Sequence, residues 1–178
     1  MKNFLLALQF LTRIPVRIKD KIEDGDYGYS MAWFPAVGLI LGGILALVFK
    51  LAALAVNPAI AVILVITVYM FLTGALHLDG LSDACDGLYG GKGDKVKTLE
   101  IMRDSRIGTI GALALVLDIG LRFALLYSLP VSRIPASLIL MAVMGRWGQV
   151  FFCLNAPSAR AEGRGGSFSS SLTPGIFG

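Results

Sequence analysis

Uncharged apolar stretches, each close to a bilayer in length, set the rhythm of this chain. Residues 31–49 and 51–76 contain no charged side chain, and 109–129 and 134–154 are nearly as apolar. Roughly 20 apolar residues in a helix cross the ~30 Å hydrocarbon core of a membrane. The pattern therefore predicts four transmembrane helices. Residues 3–16 are apolar too, but Thr12, Arg13 and Pro15 interrupt them. They predict an interfacial or re-entrant helix. A secretory signal fits less well, because Arg13 follows the apolar run closely and no small-residue cleavage site appears. The expected fold is all-α, a polytopic helical bundle of about four transmembrane helices plus an N-terminal interfacial helix. Residues 1–154 form its membrane-embedded domain, with an acidic-motif loop at 77–106. Residues 155–178, rich in Gly and Ser, read as a flexible C-terminal tail.

Composition sharpens the membrane reading. Of 178 residues, 56% are hydrophobic and only 16% charged, against about 25% charged in a soluble domain. Lysine and arginine placement gives an orientation. Lys2, Arg13, Arg17, Lys19 and Lys21 precede the first span. Lys92, Lys95, Lys97, Arg103 and Arg106 separate the second from the third, and Arg160 and Arg164 follow the fourth. Only Lys50 and Arg133 fall on the opposite side. Positive residues stay inside, so the N-terminus, the acidic motif and the C-terminus are expected on the cytoplasmic face of a cytoplasmic (inner) membrane. The net charge of +4 then reflects topology and anionic lipid headgroups, and nucleic acid is not an expected partner. Cys85 and Cys153 make no metal or redox spacing and read as free thiols.

The polar segments carry the chemistry. His77-Leu-Asp-Gly-Leu-Ser-Asp-Ala-Cys-Asp-Gly87 spaces Asp79, Asp83 and Asp86 four and three apart. On a helix they fall within roughly 60° of one another. Acids on one stripe repel unless a cation lies between them, and an oxygen-only donor set favours a hard divalent ion such as Mg²⁺. A solvated helix end is the plainer alternative. Gly80 and Gly87 would admit a close neighbour. The sole histidine, His77, points away from the acids and is expected to make a polar interfacial contact instead, with a substrate contact as the alternative.

A second cluster follows in Glu100-Ile-Met-Arg-Asp-Ser-Arg-Ile-Gly-Thr109. Arg103 and Arg106 suit bidentate phosphate recognition. Asp104 is a candidate base or further metal ligand, as Asp86 is a candidate base, and a positive-inside anchor is the alternative for the whole cluster. The Tyr89–Lys95 turn lacks the Gly-Lys-Ser/Thr spacing of a phosphate loop, yet Lys92 could reach over a phosphate from it. Within the third span Asp118 and Arg122, four apart, predict a pair on one face. Arg146 has no local partner and is expected to approach Asp118 or line a polar cavity. Trp33 and Phe34 read as interfacial anchors, and Gly38, Gly42 and Gly43 as sites of tight helix contact.

Four blocks together resemble one family. Leu11-Thr-Arg-Ile-Pro-Val16, Phe34-Pro-Ala-Val-Gly-Leu39, the His77–Gly87 block and the Glu100–Thr109 block follow the order and spacing of the cobalamin synthases, over about residues 4–164. The resemblance implies an Mg²⁺-dependent enzyme of vitamin B12 assembly. A ribose hydroxyl of α-ribazole, free or 5′-phosphorylated, would attack the cobinamide-linked phosphate of adenosylcobinamide-GDP and release GMP. It also implies adenosylcobinamide-GDP, α-ribazole (phosphate) and membrane lipids as partners, and leaves a homo-oligomer open. The logic is similar to that of CDP-alcohol phosphotransferases. However, Ser82-Asp83 stands here where that group carries Ala-Arg after its Asp-Gly, so the base is not transferred by analogy. A cation channel would require acids within the first two spans, which have none. The family continues with more helices and a second Gly/Asp block that this sequence does not contain. The chain is thus expected to match the family's front part, with its activity alone left open.

Overall fold

A computed structural model of the protein describes residues 1–156. The expected flexible tail therefore lies, from residue 157 on, outside the described residues, as do Arg160 and Arg164. Among the described residues the chain forms eight helices: α1 (Lys2–Leu11), α2 (Asp24–Met31), α3 (Phe34–Ala52), α4 (Pro58–Thr73), α5 (Leu76–Gly91), α6 (Lys95–Ile101), α7 (Thr109–Tyr127) and α8 (Ile134–Asn155). Three of them, α3, α7 and α8, are long and apolar enough to cross a membrane. A fourth span requires α4 and α5 together, and these meet at an angle of 87°.

That bend corrects the expectation of one straight span over 51–76. Residues 53–57 turn, Asn57 caps α4 by accepting from the Ile60 N–H at 3.0 Å, and Pro58 takes the first helical position. Proline there gives up no helical hydrogen bond. At the other end Gly74 and Ala75 are both left-handed, at φ 62° and 56°. Glycine accepts this freely, and alanine does so only against a steric cost. The acids therefore begin on a new helix. Two short helices also replace expected loops. In α2 the Glu23 backbone N–H donates to the Asp26 carboxylate at 2.8 Å in a reciprocal cap. In α6 the Asp94 side chain accepts from Val96 and Lys97.

The spine of the bundle is the antiparallel pair α3 and α8. A Cβ added at Gly38 would stand 2.7 Å from the Ala142 carbonyl oxygen, and one at Gly42 would stand 2.6 Å from Ile139 Cα. Backbones this close gain dispersion contacts that lipid cannot outcompete. Gly43, expected to join them, faces open space. Two apolar clusters flank the seam. One joins Ala7 and Leu11 of α1 to Met31, Phe34, Val37, Leu41 and Ala142. The other joins Leu45 and Phe49 to Val62 and Val65 of α4, with Ile134 and Leu138. Phe34 is thus corrected from anchor to core: it is 3% exposed and stacks on Phe10. Trp33 stays 45% exposed, with its ring edge against Phe4. On α7, Leu113, Val116, Leu117, Leu121 and Leu125 all point outward, a face that hydrocarbon solvates and water would not.

Candidate functional site

The acid-bearing helix α5 folds back antiparallel to α7. Its first turn shares a cavity with Asp118, Ile119 and Arg122, while its far half meets the start of α7. The bend that launches it is held from the amino-terminal motif. The Arg13 backbone N–H donates to the Leu72 carbonyl at 2.7 Å, and the Arg13 side chain lies over Gly74.

Asp86 fixes the other end. One of its carboxylate oxygens accepts from the Gly108 N–H at 2.7 Å and the other from the Gly111 N–H at 2.8 Å. These are free donors at the first turn of α7, where the helix dipole also favours negative charge. Asp86 therefore caps α7 from another helix. Ser82 is buried on the same side, and a Cβ at Gly111 would strike both side chains. Gly87 turns instead to α6, where Met102 and Thr98 close over it. Gly80 faces open space. The stripe of Asp79, Asp83 and Asp86 lies between these two faces and so opens toward the seam of α6 and α7. Asp79 is exposed, and Asp83 and Asp86 are partly buried.

The second motif arrives at the same place. After α6 the 102–108 segment leads into Gly108, next to the Asp86 carboxylate. Arg106 is not loose: its Nε lies 3.0 Å from each Asp104 oxygen and its Nη2 2.6 Å from Oδ2. The Arg106 guanidinium holds the Asp104 carboxyl down to about 2, from an ordinary 3.8. Arg103 is exposed, and Lys92 is exposed at the left-handed end of α5, φ 50°. Of the expected residues, Asp86 stands at the start of α7, where Gly108 follows the Asp104–Arg106 pair by two residues, while Asp79 lies back in the first turn of α5 and Lys92 at its far end.

The donor set fits a hard divalent ion in chemistry. All three donors are carboxylates on one stripe, and Asp86 keeps lone pairs beyond those given to α7. Yet among the described residues no three His, Cys, Asp or Glu side chains converge on one cation-sized point. The carboxylates share a stripe without a common focus.

A second polar group lies inside the bundle. Arg122 grips Asp118 by Nε at 2.6 Å and Nη2 at 2.9 Å, the pair expected from their spacing. Arg146 does not join them. It is 3% exposed, donates to the Tyr69 hydroxyl oxygen, and leaves Nε and Nη2 without partners. His77 turns to α8, where the Gln149 Nε2 lies 3.1 Å from its ring nitrogens. His77 and Gln149 also edge a cavity of about 580 Å³ between α8 and the starts of α3 and α5, walled by Phe10, Phe34, Met144 and Phe152. Tyr69 and Gln149 had no sequence signal, and Arg13 stood out only as part of the Leu11–Val16 block. A tyrosine in an apolar run and a glutamine two residues after a tryptophan read as ordinary membrane-helix residues until the bend brings His77 among them.

Comparison with known proteins extends over nearly all of the chain. A family model described as cobalamin-5-phosphate synthase matches residues 3–177. A protein of Acetivibrio thermocellus is 44% identical over 94% of this chain and 68% of its own length. One of Clostridium novyi is 37% identical over 98% of the chain and 70% of its length, and one of Clostridium tetani 39% over 96% and 68%. All three are called adenosylcobinamide-GDP ribazoletransferase. No solved structure matches.

Proposed function

The chain belongs to the cobalamin-5-phosphate synthase family, and we propose that it transfers the adenosylcobinamide phosphate of adenosylcobinamide-GDP to α-ribazole or its 5′-phosphate. It is an enzyme that joins the cobinamide and ribazole moieties of adenosylcobalamin. The observation that supports the site reading is the hold of Asp86, one acid of the stripe, on the first amides of α7, two residues after the Asp104–Arg106 pair.

In this transfer a ribose hydroxyl forms a new O–P bond at the cobinamide-side phosphate. The pyrophosphate bond to GMP breaks, and the hydroxyl proton leaves. Asp79, Asp83 and Asp86 would hold Mg²⁺, which supplies charge neutralisation to the phosphate oxygens when bound. Arg103, Arg106 and Lys92 would bind those oxygens, where a guanidinium fork matches two of them. Arg106 holds Asp104 through Nε and Nη2, which leaves its Nη1 hydrogens to meet a phosphate oxygen. Asp104 and Asp86 are the candidate bases for the ribose proton. Positive residues on the same side as the acids support a multi-pass cytoplasmic-membrane enzyme with this site on the cytoplasmic face.

Asp83→Asn tests the site. Reconstituted in bilayer discs with both substrates, it should lose turnover by roughly a hundredfold or more and lose its response to Mg²⁺. Unchanged turnover would remove Asp83 from the metal set. Replacing adenosylcobinamide-GDP by a CDP-alcohol should give no product.

A further inference from the structure

The acid-bearing helix is pinned near both ends. Its far half is tied to the first amides of α7 through Asp86. Its start is held by Arg13, which comes from the amino-terminal motif. The Arg13 backbone N–H donates to the Leu72 carbonyl at 2.7 Å, one of the last-turn carbonyls that α4 leaves open. The side chain covers Gly74, the left-handed C-cap of α4 at φ 62°. A Cβ at Gly74 would stand 2.5 Å from Arg13 Nε, 3.1 Å from Cγ and 3.2 Å from Cδ. With no basic residue in the last turn of α4, the Arg13 guanidinium supplies the cation that a helix C-terminus favours.

The clasp is itself anchored. The Thr12 hydroxyl donates to the Leu8 carbonyl at 2.7 Å and accepts from the Ile14 N–H at 3.2 Å. Behind it Ala7 and Leu11 are fully buried in one cluster with Phe34, Val37 and Leu41. Contact therefore runs from the α3–α8 spine through α1 to the bend. Ala75 follows Gly74 at φ 56°, a costly conformation that persists only where its surroundings impose it. Were this end released, α5 would pivot on Asp86. Asp79, seven residues away, lies about 10 Å from that pivot at a rise of about 1.5 Å per residue. A swing of about 10° would then carry Asp79 by about 2 Å, against a tolerance of about 0.2 Å in a metal–ligand distance.

We propose that Arg13 is a positioning residue for the transfer: it clamps the bend at Gly74–Ala75 and so sets the placement of Asp79 and Asp83 for a divalent cation. The inference rests on the transfer reading above, and Arg13 acts through α5. On this reading α1 is a strut for the acid helix.

Two readouts separate this role from general stability. In bilayer discs with both substrates, Arg13→Ala should raise the Mg²⁺ concentration for half-maximal turnover roughly tenfold. It should leave the KM for α-ribazole within about twofold of the parent. Arg13→Lys keeps a stem and a charge and should restore most of the loss. An unchanged Mg²⁺ requirement in Arg13→Ala, or equal losses for Mg²⁺ and α-ribazole, overturns the proposal. The other readout needs no substrate. In a Cys85→Ser, Cys153→Ser background, spin labels at Leu47→Cys and Gly80→Cys report how α5 sits against α3, since Leu47 is exposed and Gly80 faces open space. Arg13→Ala should shift or broaden their distance distribution by about 2 Å, the swing worked out from the helix rise, and Arg13→Lys should not. An unshifted distribution overturns the proposal. Arg13 is exposed, so its truncation should fold. Should it not, Arg13→Gln, which loses the charge, must show both effects in smaller degree, and parent values overturn the proposal. A shifted distribution in a chain whose parent form turns over nothing keeps the hold of Arg13 on α5 and removes the transfer reading instead.

Discussion

A helical wheel shows one side of Asp86 and hides the other. Its place in the stripe makes it a proposed metal ligand, and its two oxygens hold the first amides of α7. The hydrogen bonds join residues 22 and 25 apart, so no local pattern announces them. The sequence spacing exposed the stripe because that is geometry within one helix. The cap stayed hidden because it depends on α5 folding back. An amide in place of the carboxylate keeps one acceptor and loses the charge. Asp86→Asn should therefore lower stability by about 1–2 kcal/mol, seen as a reduced unfolding midpoint in detergent even without substrates. Asp79→Asn, at an exposed position, should leave that midpoint within about 0.5 kcal/mol of the parent. Equal effects would show that Asp86 is not a cap.

The long helices α3, α7 and α8 were legible as elements because length and apolar composition alone define them. Element boundaries were less so. Asn57-Pro58 marks the start of α4 plainly, while the left-handed Ala75 has no signature in its side chain. The glycines divide in the same way. Gly38, Gly42 and Gly43 look alike in the sequence, and only the rotation of α3 against α8 decides which of them touch. Gly42→Leu forces Ile139 and the α8 backbone away, and it should cost about 1–3 kcal/mol or more. Gly43→Leu points into open space and should change stability by no more than about 0.5 kcal/mol. Paired thermal melts of the two variants check the seam, and similar losses from both would place it elsewhere.

At the scale of the whole molecule, charge placement predicts the topology, and labelling can test it. In a Cys85→Ser, Cys153→Ser background, a cysteine at Lys50 or at Arg133 should react with an impermeant maleimide added to intact cells. One at Lys95 should react only after permeabilisation. The opposite pattern would invert the bundle and move the acids to the outer face. The fold class was legible because lipid imposes it: a chain that crosses hydrocarbon must satisfy its backbone within each segment. The interior polar group was not, since Tyr69, His77, Arg122 and Arg146 come from four helices and meet only through the bend at Gly74–Ala75.

The two faces of α5 bear on how reactants meet. One face carries carboxylates toward the seam of α6 and α7, and the first turn behind it borders a greasy chamber. The helix is a partition wall between two media. A water-borne nucleotide is counted per litre, but a reactant dissolved in the bilayer is counted per unit of membrane area. Collisions across such a wall scale with the second quantity as well as the first. The enzyme is thereby placed to work at a phase boundary, where crowding in two dimensions does part of the gathering that a soluble enzyme must leave to diffusion in three.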